Sequence, residues 1–99
     1  MSDGVFITME LDVKPEAIDA FANSFKTMIG DTAKFKGFRS LQVLRQGTKM
    51  FLFEEWDSEA DYGAYIAFRT ERGDMDMLES IMNSVQSGVW PTLVASAKA

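Results

Sequence analysis

The sequence predicts an α+β fold, four antiparallel strands with helices packed on one side of the sheet, and three observations carry that prediction. Apolar and polar residues alternate over the first stretch, apolar residues recur every three or four positions in the second, and a Gly47-Thr48 turn joins two further strand-like runs. Ninety-nine residues, 46% hydrophobic and 25% charged, suit one domain covering 1–99.

In the first element Val5, Ile7, Met9, Leu11 and Val13 alternate with Thr8, Glu10, Asp12 and Lys14, the period of a strand. Phe6 interrupts the polar set, so the second face of this strand is not simply wet. Pro15 is tolerated at a first helical position and Glu16 suits the positive end of a helix dipole. Ile18, Phe21, Phe25, Met28 and Ile29 then form one apolar stripe on a helix expected to run to Lys36, with Gly37 as its left-handed cap or Gly30 as an earlier stop.

Phe38 to Gln46 and Lys49 to Trp56 read as a hairpin of strands about the Gly47-Thr48 turn. Met50 and Leu52 point one way and Phe51 and Phe53 the other, so both faces of the last strand should be buried. Ser58 with Asp61 resembles a capping box and opens a helix to about Arg72. On it Tyr62, Tyr65 and Arg69 share one stripe, and Ala60, Gly63, Ala64 and Ala67 form an opposite one suited to close packing on the sheet.

Beyond Gly73-Asp74, Leu78, Ile81, Met82 and Val85 keep helical spacing, and a final strand is expected from Val89 to about Ser96, with Pro91 marking an edge or a bulge. The order β-α-β-β-α-β is that of the ferredoxin-like split βαβ arrangement, whose helices cover one face of the sheet only. With apolar residues on both sides, the bare face predicts a homodimer closed sheet to sheet.

Composition removes several chemistries. The chain has no cysteine and no histidine, which excludes disulfides, thiol nucleophiles, zinc–thiolate sites, Ser-His-Asp triads and histidine-ligated haem. No metal and no other cofactor is expected. A net charge of −5 argues against a nucleic-acid partner, and the basic stretch Lys34, Lys36, Arg39, Arg45, Lys49 reads as a solvated helix end and hairpin. Met1-Ser2-Asp3-Gly4 carries no basic region, and no run is long and apolar enough for a membrane span, so a cytoplasmic protein with no membrane partner is expected.

The segment from Phe53 to Tyr62 carries a resemblance. An aromatic strand ending in Glu54-Glu55-Trp56, a helix opened by Ser58, and the pair Gly37-Phe38 at the start of the preceding strand resemble the antibiotic biosynthesis monooxygenase family of dimeric α+β barrels. The spacing of Trp56, Ser58, Glu59 and Tyr62 is most similar to members that oxidise polycyclic phenols or quinols to quinones with O₂ and no cofactor. The resemblance implies a small aromatic substrate in a cleft between helices and sheet, with Trp56 and Tyr62 as its catalytic pair. Phe25, Leu52, Tyr65 and Arg69 are the further substrate-binding candidates.

Two departures bear on the transfer. Leu52 stands where quinone-forming members often carry a polar Asn, and the histidine of the haem-degrading branch is absent. The same residues also admit plainer roles. Trp56 can anchor strand to helix, Tyr65 can pack with its tip in water, and Arg69 can pair with Glu59, Asp61 or Glu71 on an exposed face. The acidic group Glu54, Glu55, Asp57, Glu59, Asp61 reads as a solvated strand end and helix start, and Met75, Met77 and Met82 as gap-fillers or a pliable pocket wall. A non-catalytic ligand-binding or stress-associated barrel is therefore the competing reading; an enclosed cavity with two or more converging polar groups would favour the enzyme.

Overall fold

The computed structural model describes residues 4–99. Its elements are β1 (Val5–Val13), α1 (Ile18–Thr32), β2 (Phe38–Gln46), β3 (Lys49–Trp56), α2 (Glu59–Glu71), α3 (Asp74–Ile81) and β4 (Met82–Trp90). The four strands form one sheet in the order β2-β3-β1-β4, every neighbouring pair antiparallel. This is the ferredoxin-like arrangement expected from the sequence, with one additional short helix between α2 and β4. No helix among the described residues is long and apolar enough to cross a membrane.

The hairpin is placed where the sequence put it. Gly47 has φ +62° and Thr48 is not in the positive-φ region, the pattern of a turn with glycine at its first central position. Register then fixes which side chains share a face: Met9 lies opposite Leu52 of β3 and Ser87 of β4, and Leu41 of β2 opposite Glu54. Val5, Ile7, Leu11 and Val13 of β1 and Met50, Leu52, Glu54 and Trp56 of β3 therefore look toward the helices, and all are buried. Each of the aliphatic and aromatic ones contributes about 1.5–3 kcal/mol of transfer free energy.

Three boundaries differ from the expectation. α1 passes through Gly30 and stops at Thr32, and residues 33–37 form turns rather than a continued helix. Pro15 lies in a turn ahead of Ile18, where its missing N–H is harmless. The helical spacing of Leu78, Ile81, Met82 and Val85 spans two elements. α3 ends at Ile81 and β4 starts at once, so Gly88 is inside the strand and Pro91 just beyond it. β4 is an edge strand, as foreseen, with a register shift at Asp12/Val13.

The faces of α2 are reversed from the expected arrangement. Tyr65 and Arg69 are buried toward the sheet, whereas Ala60, Gly63, Ala64 and Ala67 are exposed. Transfer free energy explains the choice, since burying an aromatic ring removes far more apolar area from water than burying a methyl group. Ser58 caps the helix as read: its hydroxyl accepts the Asp61 N–H at 3.1 Å.

Candidate active site

Between the helices and the sheet lies a cavity of about 540 Å³, a size for two or three fused rings. Its walls are apolar over most of their extent: Leu11 and Leu52 from the sheet, Phe21, Phe25 and Met28 from α1, Leu78 from α3. Four polar side chains reach it from β3 and α2, namely Glu54, Tyr62, Tyr65 and Arg69.

Glu54 is the residue that sequence reading missed. It was assigned to a solvated strand end, yet it is only 4% exposed. The signal was present: on a strand whose Met50 and Leu52 point inward, alternation places Glu54 inward as well. Burial pushes its carboxyl above the ordinary range, while a hydrogen bond from Trp56 and the charge of Arg69 partly oppose the shift. A carboxylate made more basic in this way is suited to accept a proton near neutral pH.

Trp56 does not line the cavity. With 0% exposure it has no surface to present to a ligand. It sits behind the wall against Phe38, Tyr62 and Tyr65, at centroid distances of 5.5, 5.8 and 5.1 Å. Its Nε1 donates to Glu54 Oε1 at 3.1 Å. Its place is that of an anchor that also orients the carboxylate.

The two tyrosines differ in how their hydroxyls are engaged. Arg69 Nη1 donates to Tyr65 Oη at 2.8 Å, Tyr65 Oη and Thr32 Oγ1 are 2.9 Å apart, and Thr32 Oγ1 lies 3.2 Å from the Met28 carbonyl. Because the threonine proton goes to that carbonyl, the Tyr65 proton goes to Thr32, and the relay is complete without a ligand. Tyr62 has only Met9 Sδ at 4.0 Å, a weak acceptor. Burial first, then the neighbouring Glu54 charge, hold the Tyr62 phenol above its ordinary pKa, so it remains a donor with a proton to offer.

Arg69 is 6% exposed, not on a solvated face, and its ion pair is with Asp74 at the start of α3 rather than Glu59, Asp61 or Glu71. Phe25 and Leu52 line the cavity as expected, and so do Met75 and Met82; Met77 points to solvent. Leu52 leaves that stretch of wall apolar, and the polar group comes from Glu54, two residues further along the same face. Among the described residues no three Asp or Glu side chains converge as a metal site.

A small α+β protein with a helix-covered sheet and an apolar cavity edged by one basic carboxylate and one free phenol is thus defined on structural grounds. Comparison with known proteins gives it a family. Residues 4–70 match the model of the antibiotic biosynthesis monooxygenase family, and the chain belongs to that family.

Solved structures agree in fold. A conserved protein from Methanosarcina mazei is similar over 91% of this chain and 93% of its own, with a TM-score of 0.80 at 19% identity. A cofactor-independent oxygenase from Streptomyces nogalater is similar over 96% and 97%, with a TM-score of 0.79 at 16% identity. Rv0793 from Mycobacterium tuberculosis is similar over 96% and 100%, with a TM-score of 0.73 at 19% identity. No curated protein sequence matches the chain.

Proposed function

We propose that this protein is a cofactor-independent monooxygenase that oxidises an aromatic phenol or quinol to a quinone with O₂. The observation that supports it most is the buried Glu54 carboxylate of β3 near the weakly engaged Tyr62 hydroxyl of α2, both reaching one apolar cavity. Glu54 removes the phenol proton. The electron-rich phenolate then reduces O₂, a carbon–oxygen bond forms at the ring carbon para to the phenolate oxygen, and the peroxide loses water as the second carbonyl is made. For a phenol the sum is one O₂ consumed, one oxygen atom retained in the quinone and one released as water; for a quinol, whose para carbon already bears oxygen, the new bond forms at a free ortho carbon and the products are a hydroxyquinone and water.

Tyr62 donates to the substrate oxygen and orients the ring; Phe25 and Leu52 hold its faces. The apolar walls limit contact between water and the peroxide. Trp56 acts through Glu54 as a positioning residue. Arg69 and Tyr65 complete the polar part of the binding surface.

The working unit in this reading is a cytoplasmic homodimer. The helix-free face carries Phe6 and Phe53 with ring centroids 5.6 Å apart, together with Phe51, Leu44 and Trp90, of which Phe53, Leu44 and Trp90 are exposed. A second copy laid on this face would cover them.

Oxygen uptake with a panel of dihydroxynaphthalenes and anthrones tests the reading. Wild type should exceed the uncatalysed rate, and Tyr62→Phe should lower turnover on any substrate accepted. No turnover on any member of the panel would overturn the assignment.

A further inference from the structure

The guanidinium of Arg69 is incompletely satisfied. It is buried on the cavity wall, and of its five N–H donors only two have aligned acceptors: Nη1 donates to Tyr65 Oη, and Nη2 faces Met28 Sδ at 3.2 Å. Nε lies 2.6 Å from Asp74 Oδ2, yet its N–H has no aligned hydrogen-bond acceptor. Asp74 is also shared, since Arg72 Nη2 reaches the same oxygen at 2.7 Å. A buried cation that shares its ion-pair partner and turns one nitrogen toward a thioether is poorly satisfied, because sulfur is a weak acceptor.

We infer that Arg69 is the recognition site for a carboxylate carried by the substrate, so that the true substrate is a hydroxyaryl carboxylic acid. The hydroxyl on the aryl ring follows from the monooxygenase reading, whereas the carboxylate follows from Arg69 alone. The Asp74 contact engages Nε, and the Nη pair of this cavity-lining side chain is left with only a phenol oxygen and a thioether; the planar fork of that pair fits a carboxylate. A carboxylate oxygen displacing Met28 Sδ replaces a weak contact with a charge-assisted hydrogen bond in a desolvated site. The flexible methionine can move aside.

Charge gives the same answer. The chain carries −5 overall, and Glu54 and Glu79 share the cavity with Arg69. Among the charged groups of these walls, this guanidinium is the one that attracts an anionic ligand. The same arrangement sets the direction of binding, with the carboxylate at Arg69 in the last turn of α2 and the phenol toward Tyr62 near the start of that helix and Glu54 on β3.

The test uses ligands that cannot be oxidised, so it is independent of turnover. Binding of 2-naphthoate and of 2-naphthamide, a neutral mimic of the same shape, is measured by calorimetry on the purified protein at pH 7. The acid should bind about tenfold or more tightly than the amide. Arg69→Gln should erase that preference, whereas Glu54→Gln should retain it. Should Arg69→Gln not fold, Arg69→Lys, which keeps the charge and loses the fork, is expected to weaken 2-naphthoate severalfold while leaving 2-naphthamide unchanged. Equal binding of acid and amide by wild type, or a preference left undiminished by substitution of Arg69, overturns the inference. Naphthoate binding without oxygen uptake on any phenol would instead leave the carboxylate site standing and remove the oxygenase.

Discussion

The part of the chain from β1 through α2 and the part from α3 to the end are built differently. Every buried side chain of the described residues lies between Val5 and Arg69; α3 and β4 contribute none. β4 is hydrogen-bonded to β1 along its length, yet Val85, Val89 and Trp90 remain exposed, as do Leu93 and Val94 beyond it. The first part makes the core and carries Glu54, Tyr62, Tyr65 and Arg69. The second closes the sheet and supplies the outer wall of the cavity through Met75, Leu78, Met82 and Val85. A region that is apolar, ordered by backbone pairing and barely covered is one adapted to be covered by something else.

The largest expected effect lies in the first part. Glu54→Gln should lower turnover about 10²- to 10⁴-fold, the usual contribution of a positioned base, as read by oxygen uptake. It should also make the protein more resistant to heat at neutral pH. The sign follows from the raised pKa of Glu54: the folded state keeps this proton to higher pH than the unfolded chain does, so stability falls as pH rises from the ordinary carboxylate range through the raised value. The glutamine variant lacks that slope, and its advantage over wild type should grow with pH in a series of thermal melts.

Trp56→Ala should cost roughly 3–5 kcal/mol in denaturant titrations, as for a fully buried ring. Trp56→Phe keeps most of the packing and removes the hydrogen bond that lowers the Glu54 pKa, so the acid limb of the pH–rate profile should move to higher pH. An unmoved limb would make Trp56 an anchor only. On the helix-free face, Phe53→Glu should raise the dimer dissociation constant about a hundredfold, measured by analytical ultracentrifugation, with the monomer still folded.

Smaller effects are expected in the second part. The guanidinium of Arg72, and then that of Arg69, hold the Asp74 carboxyl below its ordinary pKa. The stability it contributes is present above the ordinary carboxylate range and lost as pH falls through the lowered value. Asp74→Asn should therefore be less stable than wild type at pH 7, with the gap closing in acid, the opposite trend to Glu54→Gln. Removal of residues 91–99, exposed and without regular structure, should change monomer stability by less than about 0.5 kcal/mol.

How far the sequence led follows the same division. Alternation in β1 and in the β2–β3 hairpin was long and strict enough to place those strands, because a one-residue slip would turn every apolar side chain outward. The α1 stripe was equally plain. What failed was local and had physical causes. Met82 and Val85 fit a helical period and a strand period alike, and no Gly or Pro separates α3 from β4. The exposure of Ala60 and Ala64 was decided by the larger rings across the helix. The site was half legible: Phe25, Leu52, Tyr62, Tyr65 and Arg69 reach the cavity, while Trp56 lies behind it and Glu54 was hidden among acidic neighbours that do face water.

Gly37 carries a consequence for engineering. Its φ is +87°, its carbonyl accepts the Asp57 N–H at 2.7 Å, and a Cβ built on it would run into the Asp61 carboxyl. That carboxyl is tied to the Ser58 hydroxyl at 3.1 Å and has little room to yield. One methyl group here would act as a wedge, prying the first turn of α2 off the hairpin and carrying Tyr62 with it. The seating of the first turn of α2, which carries Tyr62, thus depends on a position that can bear only hydrogen.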